Sequence, residues 1–387
     1  MTGPPPPGRL LLTADPVGGV WTYAVALARG LGARGTEVLL ATMGGPLHRD
    51  QRAEVARAPN VELAESRYRL EWMEDPWDDV ARAGDWLLEL ERRHAPDLVH
   101  LNQLAFGGLP WRAPVLVVGH SCVLSWWQAV QATPVPPRWT EYRRRVGAGL
   151  RAADLVAAPT RAMLDAVEAL YGPLARTAVI PNGRDPRVFR PGRKDELILA
   201  VGRLWDEAKN AGALARVASD LPWPIYFAGD PSGPDGRAPA LGPVRALGRL
   251  GPAALARWFR RAAVYAHPAR YEPFGLAVLE AGLSGCALVL GDIASLRELW
   301  QGAALFVHPD DTDRLRGLLR TLMLRQNLRA AFAERALARA RSFTAARTLA
   351  AYRGAYARLA RAGRRAPAGP GAPVPTGALA REAACGS

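Results

Sequence analysis

Residues 9–41 read RLLLTADPVGGVWTYAVALARGLGARGTEVLLA. The apolar run at 9–13 predicts a short buried strand. Residues 15–19 predict a turn that carries the adjacent pair Gly18 and Gly19, residues 20–31 an apolar helix, and residues 37–41 a second strand. Strand, glycine-bearing turn, helix and strand in this order open a parallel α/β sheet. The glycine spacing departs from the dinucleotide fingerprint, and no acidic residue ends the second strand where a ribose would need one, so a nicotinamide dinucleotide is set aside. The two glycines either admit a phosphate or sugar or simply make the tight turn.

The same grammar continues and then restarts. DLVHL at 97–101 and VLVV at 115–118 read as buried strands, and the second runs into Gly119-His120-Ser121. In an open α/β sheet ligands sit at the carboxyl ends of strands, which gives His120 a positional claim on function. A strand at 154–158, a helix at 160–171 and a strand at 178–180 lead to the turn Pro181-Asn182-Gly183 and a polar linker at 186–196. LILAV at 197–201 begins a second α/β half. It ends in Gly202-Arg203, with Lys209 and Asn210 opening a helix to 219. Strands follow at 224–228, 244–247, 263–266, 287–290 and 304–307, with helices at 252–260, 295–300, 311–322, 328–341 and 345–361. A Gly/Pro loop spans 229–239. Residues 50–94 are rich in Trp, Glu and Arg and hold at least one helix, at about 78–93.

The expected organisation is a Pro-rich disordered leader (1–8), an N-terminal half (9–185), a C-terminal half (186–344), a final helix (345–361) and a disordered Pro/Gly/Ala tail (362–387). Two parallel-sheet halves joined by one linker leave the cleft between them as the ligand site.

Residues 269–285, ARYEPFGLAVLEAGLSG, carry the strongest chemical signal. Glu272 and Glu280 are eight positions apart, separated by Pro273, Phe274, Gly275 and an apolar run. Pro273 suits the first turn of a helix. That places Glu272 at the helix mouth and Glu280 about two turns inside, on the face of Leu276. Free N–H groups near Phe274, Gly275 and Leu276 would then point out of the helix end, where an anion is favoured. Arg203 and Lys209 each lie near the carboxyl end of a strand. Together with such a helix end they make a diphosphate clamp. A phosphate at the helix mouth and a hydroxyl-binding carboxylate further along describe a nucleotide-sugar site.

Composition narrows the alternatives. The net charge of +14 is carried almost wholly by Arg, with Lys194 and Lys209 as the two lysines. Coding bias towards Arg explains most of it. No basic run interleaved with aromatics makes a recognisable nucleic-acid module, so no nucleic-acid partner is expected. Cys122, Cys286 and Cys385 are too scattered for a disulfide framework or a zinc site. The start of the chain lacks an apolar stretch fit for a signal peptide, and no window approaches a membrane span. A cytoplasmic location is expected. The basic face with Arg143, Arg144, Arg145 and Arg151 permits peripheral contact with a membrane. Trp126, Trp127 and Trp139 are either an acceptor wall or ordinary packing.

The segments GGVWTYAVALARGL (18–31), GHS around His120, IPNGRD (180–185), VGRLWDEAKN (201–210), RYEPFGLAVLEAGLSG (270–285) and GDIASLRELW (291–300) together resemble the retaining glycosyltransferases of family 4. The resemblance runs from about residue 9 to 360. It implies the GT-B fold, two Rossmann-like parallel-sheet domains facing across a cleft. A nucleotide-diphospho-sugar donor, with a UDP- or GDP-sugar expected, is held mainly by the C-terminal domain and an acceptor by the N-terminal one. By the same resemblance Arg203 and Lys209 bind the donor diphosphate, and Glu280 holds the ribose hydroxyls. Glu272, with the backbone of Phe274, Gly275 and Leu276, faces the transferred sugar and phosphates. His120 approaches the sugar, Gly19 contacts phosphate or acceptor, and the loop at 248–250 with Leu250 holds the base. The final helix crosses back to the N-terminal domain. The family works without a metal, so no metal and no other cofactor is expected. Asp311 and Asp313, which superficially match a DxD metal motif, read instead as a helix cap and first-turn acid. Two rivals stand beside this reading: a nucleotide-sugar epimerase of the same fold, and a non-catalytic two-domain sugar-binding protein. The acceptor is unspecified; a glycan, a lipid-linked intermediate and a small molecule all fit.

Overall fold

The structure is a computed structural model that describes residues 7–230 and 242–361. Most of the expected leader, residues 231–241 with most of the Gly/Pro loop, and the tail from 362 with Cys385 lie outside the described residues.

Seven strands form the first sheet: β1 (Arg9–Ala14), β2 (Glu37–Thr42), β3 (Val61–Glu65), β4 (Leu98–Leu101), β5 (Val115–Val118), β6 (Leu155–Ala158) and β7 (Thr177–Val179). Their order is β3-β2-β1-β4-β5-β6-β7, and neighbouring strands run parallel. Successive side chains of a strand point to opposite faces, and a parallel sheet covered on both faces must be apolar on both. β1 obeys this: Leu10 and Leu12 pack with Trp21, Ala24, Ala28 and Leu31 of the helix Gly19–Gly32. Leu11 faces the other layer, with Leu87 of the helix Trp77–His94 and with Val117.

The second sheet holds β8 (Asp195–Val201), β9 (Ile225–Ala228), β10 (Arg245–Gly248), β11 (Ala262–His267), β12 (Ala287–Gly291) and β13 (Leu305–Val307). Its order is β10-β9-β8-β11-β12-β13, again parallel. In both sheets the strand order reverses beside the first strand of the half, between β1 and β4 and between β8 and β11. At such a switch point the connecting loops diverge to opposite faces and leave a crevice. Arg203 follows β8 and Glu272 follows β11, so the second crevice lies between them.

The chain crosses between the two halves twice, and the crossings are stitched together. The outgoing segment donates from Arg184 N to Phe343 O (3.2 Å), and Ala345 N of the return donates to Arg184 O (3.1 Å). Thr348 Oγ1 adds a bond to Pro181 O at 2.8 Å. The helix Ala345–Arg361 then lies on the first domain, burying Tyr352, Ala355, Tyr356 and Leu359 against the β1 layer. Among the described residues no helix is long and apolar enough to cross a membrane.

Three local expectations are corrected. The helix after Glu272 is Leu276–Leu283, so Pro273 lies outside it and Glu280 is little more than one turn inside. Gly275 is the reason: at φ 85° it occupies left-handed backbone and caps the helix. Lys209 ends a short 3₁₀ turn, Glu207–Lys209, rather than opening an α-helix. Asn210, at φ 54°, redirects the chain into the helix Ala211–Ala218. Residues 50–94 hold β3 and the helix Arg49–Val55 besides the predicted helix. Asp311 caps the helix Thr312–Leu324, its carboxylate accepting from Arg314 N at 2.8 Å.

Candidate active site

Glu272 is the centre of the C-terminal half of the site. Its Oε2 accepts from Lys209 Nζ at 2.8 Å and from His267 Nε2 at 3.2 Å. Burial works against ionising this carboxyl, but the Lys209 charge and the His267 hydrogen bond outweigh it and hold the group well below the usual carboxylate range. The surrounding backbone is fixed as firmly. Ser295 Oγ donates to Glu272 O at 2.6 Å, and Thr160 Oγ1, from the other domain, donates to Pro273 O at 3.0 Å. Asn210 Nδ2 ties the Lys209 turn to the end of β11 through Pro268 O (2.9 Å) and to the segment after β13 through Pro309 O (2.8 Å). Lys209 and Glu272 are thereby brought to fixed positions from points far apart in the chain.

Arg203 stands beside this pair with more freedom. Its Nη2 lies 2.6 Å from Asp206 Oδ2 and its guanidinium stacks on Trp205, yet its side chain is 40% exposed. At Phe274, Gly275 and Leu276 no backbone N–H donates to an acceptor among the described residues. These are open donors at a helix N-terminus, where partial positive charge collects. The Phe274 ring itself is buried against Phe343, so only its backbone is available to a ligand. A Cβ on Gly275 would also lie 2.9 Å from Val278 Cγ2, a second reason for glycine there.

Glu280 is buried and pairs with Arg184, Nε to Oε1 at 2.7 Å. Burial raises its carboxyl above the ordinary value, and the Arg184 charge only partly offsets that. Arg184 lies in the IPNGRD segment just past the Pro181-Asn182-Gly183 turn, and the sequence gives it no role of its own.

The N-terminal domain supplies the facing wall. A Cβ on Gly19 would come 3.3 Å from Leu276 Cδ1, so the β1 turn and the donor helix nearly touch. Asp15, in the same turn, is buried. Burial pushes its carboxyl to about 6, against the hydrogen bond from Val17 N–H and the charge of Arg203. His120 is half-buried after β5. Asn102 Nδ2 donates to Thr13 O at 2.6 Å, which leaves Asn102 Oδ1 to accept from His120 Nε2 at 2.9 Å. That bond assigns the proton to Nε2 and leaves Nδ1 as an acceptor. Burial lowers the His120 pKa to about 4, so the ring is neutral near pH 7.

Tyr271 joins the two walls. Its hydroxyl meets Ser125 Oγ at 2.8 Å and Ser121 Oγ at 3.2 Å, and accepts from Cys122 N at 3.3 Å. His120 and Glu272 therefore flank one interdomain contact. Glu298 reinforces it by accepting from Arg161 N and Ala162 N, the open end of the helix Arg161–Tyr171. Trp126 Nε1 lies 3.4 Å from Asp206 Oδ1, which brings one of the three tryptophans to the Arg203 loop. Leu250 is half-buried just past β10, and no described contact links it to the clamp. Tyr271 and Glu298 carry no local sequence signal, because their partners are distant in the chain.

A family model, Glycosyltransferase Family 4, matches residues 17–188, and another, Glycosyl transferases group 1, matches residues 195–324. The chain is 27% identical over 378 residues to a D-inositol 3-phosphate glycosyltransferase of Frankia alni, covering 84% of this chain and 90% of that protein. It is 28% identical to the Actinosynnema mirum protein of the same name, over 84% and 88%. Among solved structures, sucrose-phosphate synthase from Thermosynechococcus elongatus superposes with a TM-score of 0.78 at 18% identity, covering 92% of this chain and all of that one. Anabaena HepE in complex with UDP-glucose superposes with a TM-score of 0.72 at 18% identity, covering 92% and 99%.

Proposed function

The chain belongs to glycosyltransferase family 4, with the two-domain GT-B fold, and we propose that it transfers a sugar from a nucleotide-diphospho-sugar to an acceptor hydroxyl with retention of configuration. The observation that carries this reading is the convergence of Arg203, Lys209 and the open N–H groups of Phe274 to Leu276 at one crevice. Two cations and a helix end suit a leaving diphosphate better than they suit a neutral sugar. UDP-glucose, found with HepE, is the first donor to try.

In this reading the acceptor oxygen attacks the anomeric carbon on the face the diphosphate leaves. The bond from that carbon to the phosphate oxygen breaks, and the acceptor proton passes to the departing phosphate oxygen. The products are the glycoside and the nucleoside diphosphate. Arg203, Lys209 and the helix end neutralise charge as it develops on the leaving group, the kind of preorganised stabilisation that dominates many enzymes. They do so without calling on a metal. Glu272, kept ionised by Lys209, accepts from hydroxyls of the transferred sugar and orients it. Neutral His120 offers Nδ1 as a further acceptor to the sugar. Glu280 takes the ribose hydroxyls, and the loop with Leu250 takes the base. The acceptor enters from the N-terminal domain.

The test is incubation with UDP-, GDP- and ADP-sugars in the presence of candidate acceptors, following nucleoside diphosphate release and the anomeric proton of the product. Release coupled to an acceptor with the α configuration retained supports the reading. Tight binding of a nucleotide-sugar with no turnover over any acceptor points to a binder, and an inverted product removes the front-face mechanism.

A further inference from the structure

Arg184 occupies an unusual place. It belongs to the outgoing interdomain crossing, where its N–H and C=O are both taken by the return crossing at Phe343 and Ala345. Gly183 beside it cannot be larger, because a Cβ there would lie 2.3 Å from the Thr344 backbone. The guanidinium stacks on Phe189 at 4.9 Å and is mostly buried. Backbone and side chain are thus held, and the guanidinium is ion-paired with Glu280, Nε lying 2.7 Å from Oε1. The contact is an ion pair: among the described residues no aligned hydrogen bond reaches either Glu280 carboxylate oxygen. Arg184 also lines the same interdomain cavity as Leu276, one turn before Glu280 on the donor helix.

These facts combine into one consequence. A buried carboxylate with no partner gives up its charge, and a protonated Glu280 would accept hydroxyls poorly. Arg184 opposes the burial and holds the carboxylate through this ion pair. We infer that Arg184 is the positioning residue of the nucleoside subsite: from the hinge, its guanidinium holds the Glu280 carboxyl group where it accepts the ribose hydroxyls of the donor. The inference rests on the ribose role given to Glu280 above. It adds that nucleoside binding and hinge geometry are read through one ion pair.

The experiment compares the affinities of UDP and 2′,3′-dideoxy-UDP by titration calorimetry, with GDP and its dideoxy form run in parallel. Wild-type protein is expected to prefer the ribose form by tenfold or more, as fits a hydrogen bond to a charged acceptor. Arg184→Ala is expected to weaken the ribose form and leave the dideoxy form nearly unchanged, so the preference falls towards one. Arg184→Lys restores part of it. Equal weakening of both forms, or an unchanged preference, overturns the inference and leaves Arg184 a structural hinge residue. Arg184→Met serves if the alanine variant does not fold, and is read by the same ratio. Glu280→Gln separates the two levels of the claim. If it leaves the preference intact, the ribose role of Glu280 falls. If it abolishes the preference while the Arg184 variants keep it, only the role of Arg184 falls. Failure of both UDP and GDP to bind removes the nucleotide reading and this inference with it.

Discussion

Lys209 Nζ lies 2.8 Å from Glu272 Oε2, so one of the two lysines of an Arg-rich chain is committed to the carboxylate at the centre of the crevice. A lysine here is a compact charge on a flexible stem, able to shift from carboxylate to phosphate when a donor arrives. Arg203, 40% exposed and paired with Asp206 and Trp205, has the same freedom.

Removing either cation is therefore expected to cost transfer heavily. Losing a charge-assisted contact to the leaving group costs about 2–4 kcal/mol of transition-state stabilisation, roughly 10²–10³ in rate. The two variants differ in stability. Arg203→Ala is expected to melt near wild type, because its side chain is well exposed. Lys209→Ala leaves Glu272 buried with His267 as its remaining partner, and is expected to melt lower. Steady-state rates alongside thermal melts check both. Near-normal turnover in both folded variants refutes the clamp.

Since Arg203 and Lys209 are assigned the charge neutralisation that a metal performs elsewhere, transfer is expected to persist after exhaustive dialysis against EDTA. Rates within about twofold of untreated enzyme are the expected result. A loss reversed by Mn²⁺ or Mg²⁺ would show that the cations do not suffice.

The fold was legible because its signal is local. LLL at 10–12 and VLVV at 115–118 are buried on both faces, and only a covered parallel sheet asks for that. β3 escaped notice because VELAE is an edge strand with two acids and a broken apolar pattern. The helix start was misplaced because Pro273 fits a first turn in isolation. Gly275 wins by providing left-handed backbone, and Thr160 holds the Pro273 carbonyl from another domain. The clamp residues could be nominated from spacing. Arg184, Tyr271 and Glu298 could not, since their partners lie 96, 146 and 137 positions away.

His120 yields a prediction about pH. Burial lowers its pKa from 6.5 to about 4, so the folded protein keeps it neutral where the unfolded chain protonates it. Below 6.5 the unfolded state binds the extra proton, and stability attributable to this group falls as pH drops through the window from 6.5 to 4. It is fully present above that window. Histidine-detected NMR is expected to show no His120 titration between about pH 5.5 and 8. A His120 midpoint near 6.5 would remove the neutral-acceptor role.

Asp15 acts in the opposite sense. Burial raises its carboxyl from 3.8 to about 6, so within that window the native state holds a proton that the unfolded chain has released. Stability then falls as pH rises from 3.8 to 6, by up to about 3 kcal/mol at 1.4 kcal/mol per pH unit. Asp15→Asn has no such titration. Urea unfolding of both proteins from pH 4 to 7.5 is expected to show the variant gaining on wild type across the window. A difference independent of pH would mean that Asp15 is already ionised in the folded protein.

Tyr271 tests whether the two domains share their stability. Its hydroxyl accepts from Cys122 N at 3.3 Å and meets Ser125 Oγ at 2.8 Å, both in the N-terminal domain, while its backbone neighbours Glu272. Tyr271→Phe leaves a buried N–H without that acceptor, which costs about 1–3 kcal/mol. Ser125→Ala also removes the Ser125 Oγ bond to Cys122 O at 3.0 Å, but it leaves the Tyr271 hydroxyl in place as the acceptor for Cys122 N. Because the two hydroxyls touch, the double variant is expected to lose less than the sum of the single ones, with a coupling of about 0.5–3 kcal/mol. The loss should also reach catalysis, since the tether fixes Glu272 relative to His120: kcat falls in Tyr271→Phe while nucleoside diphosphate affinity holds. Additive stabilities together with an unchanged kcat would show that the contact neither couples the domains nor positions the reacting groups.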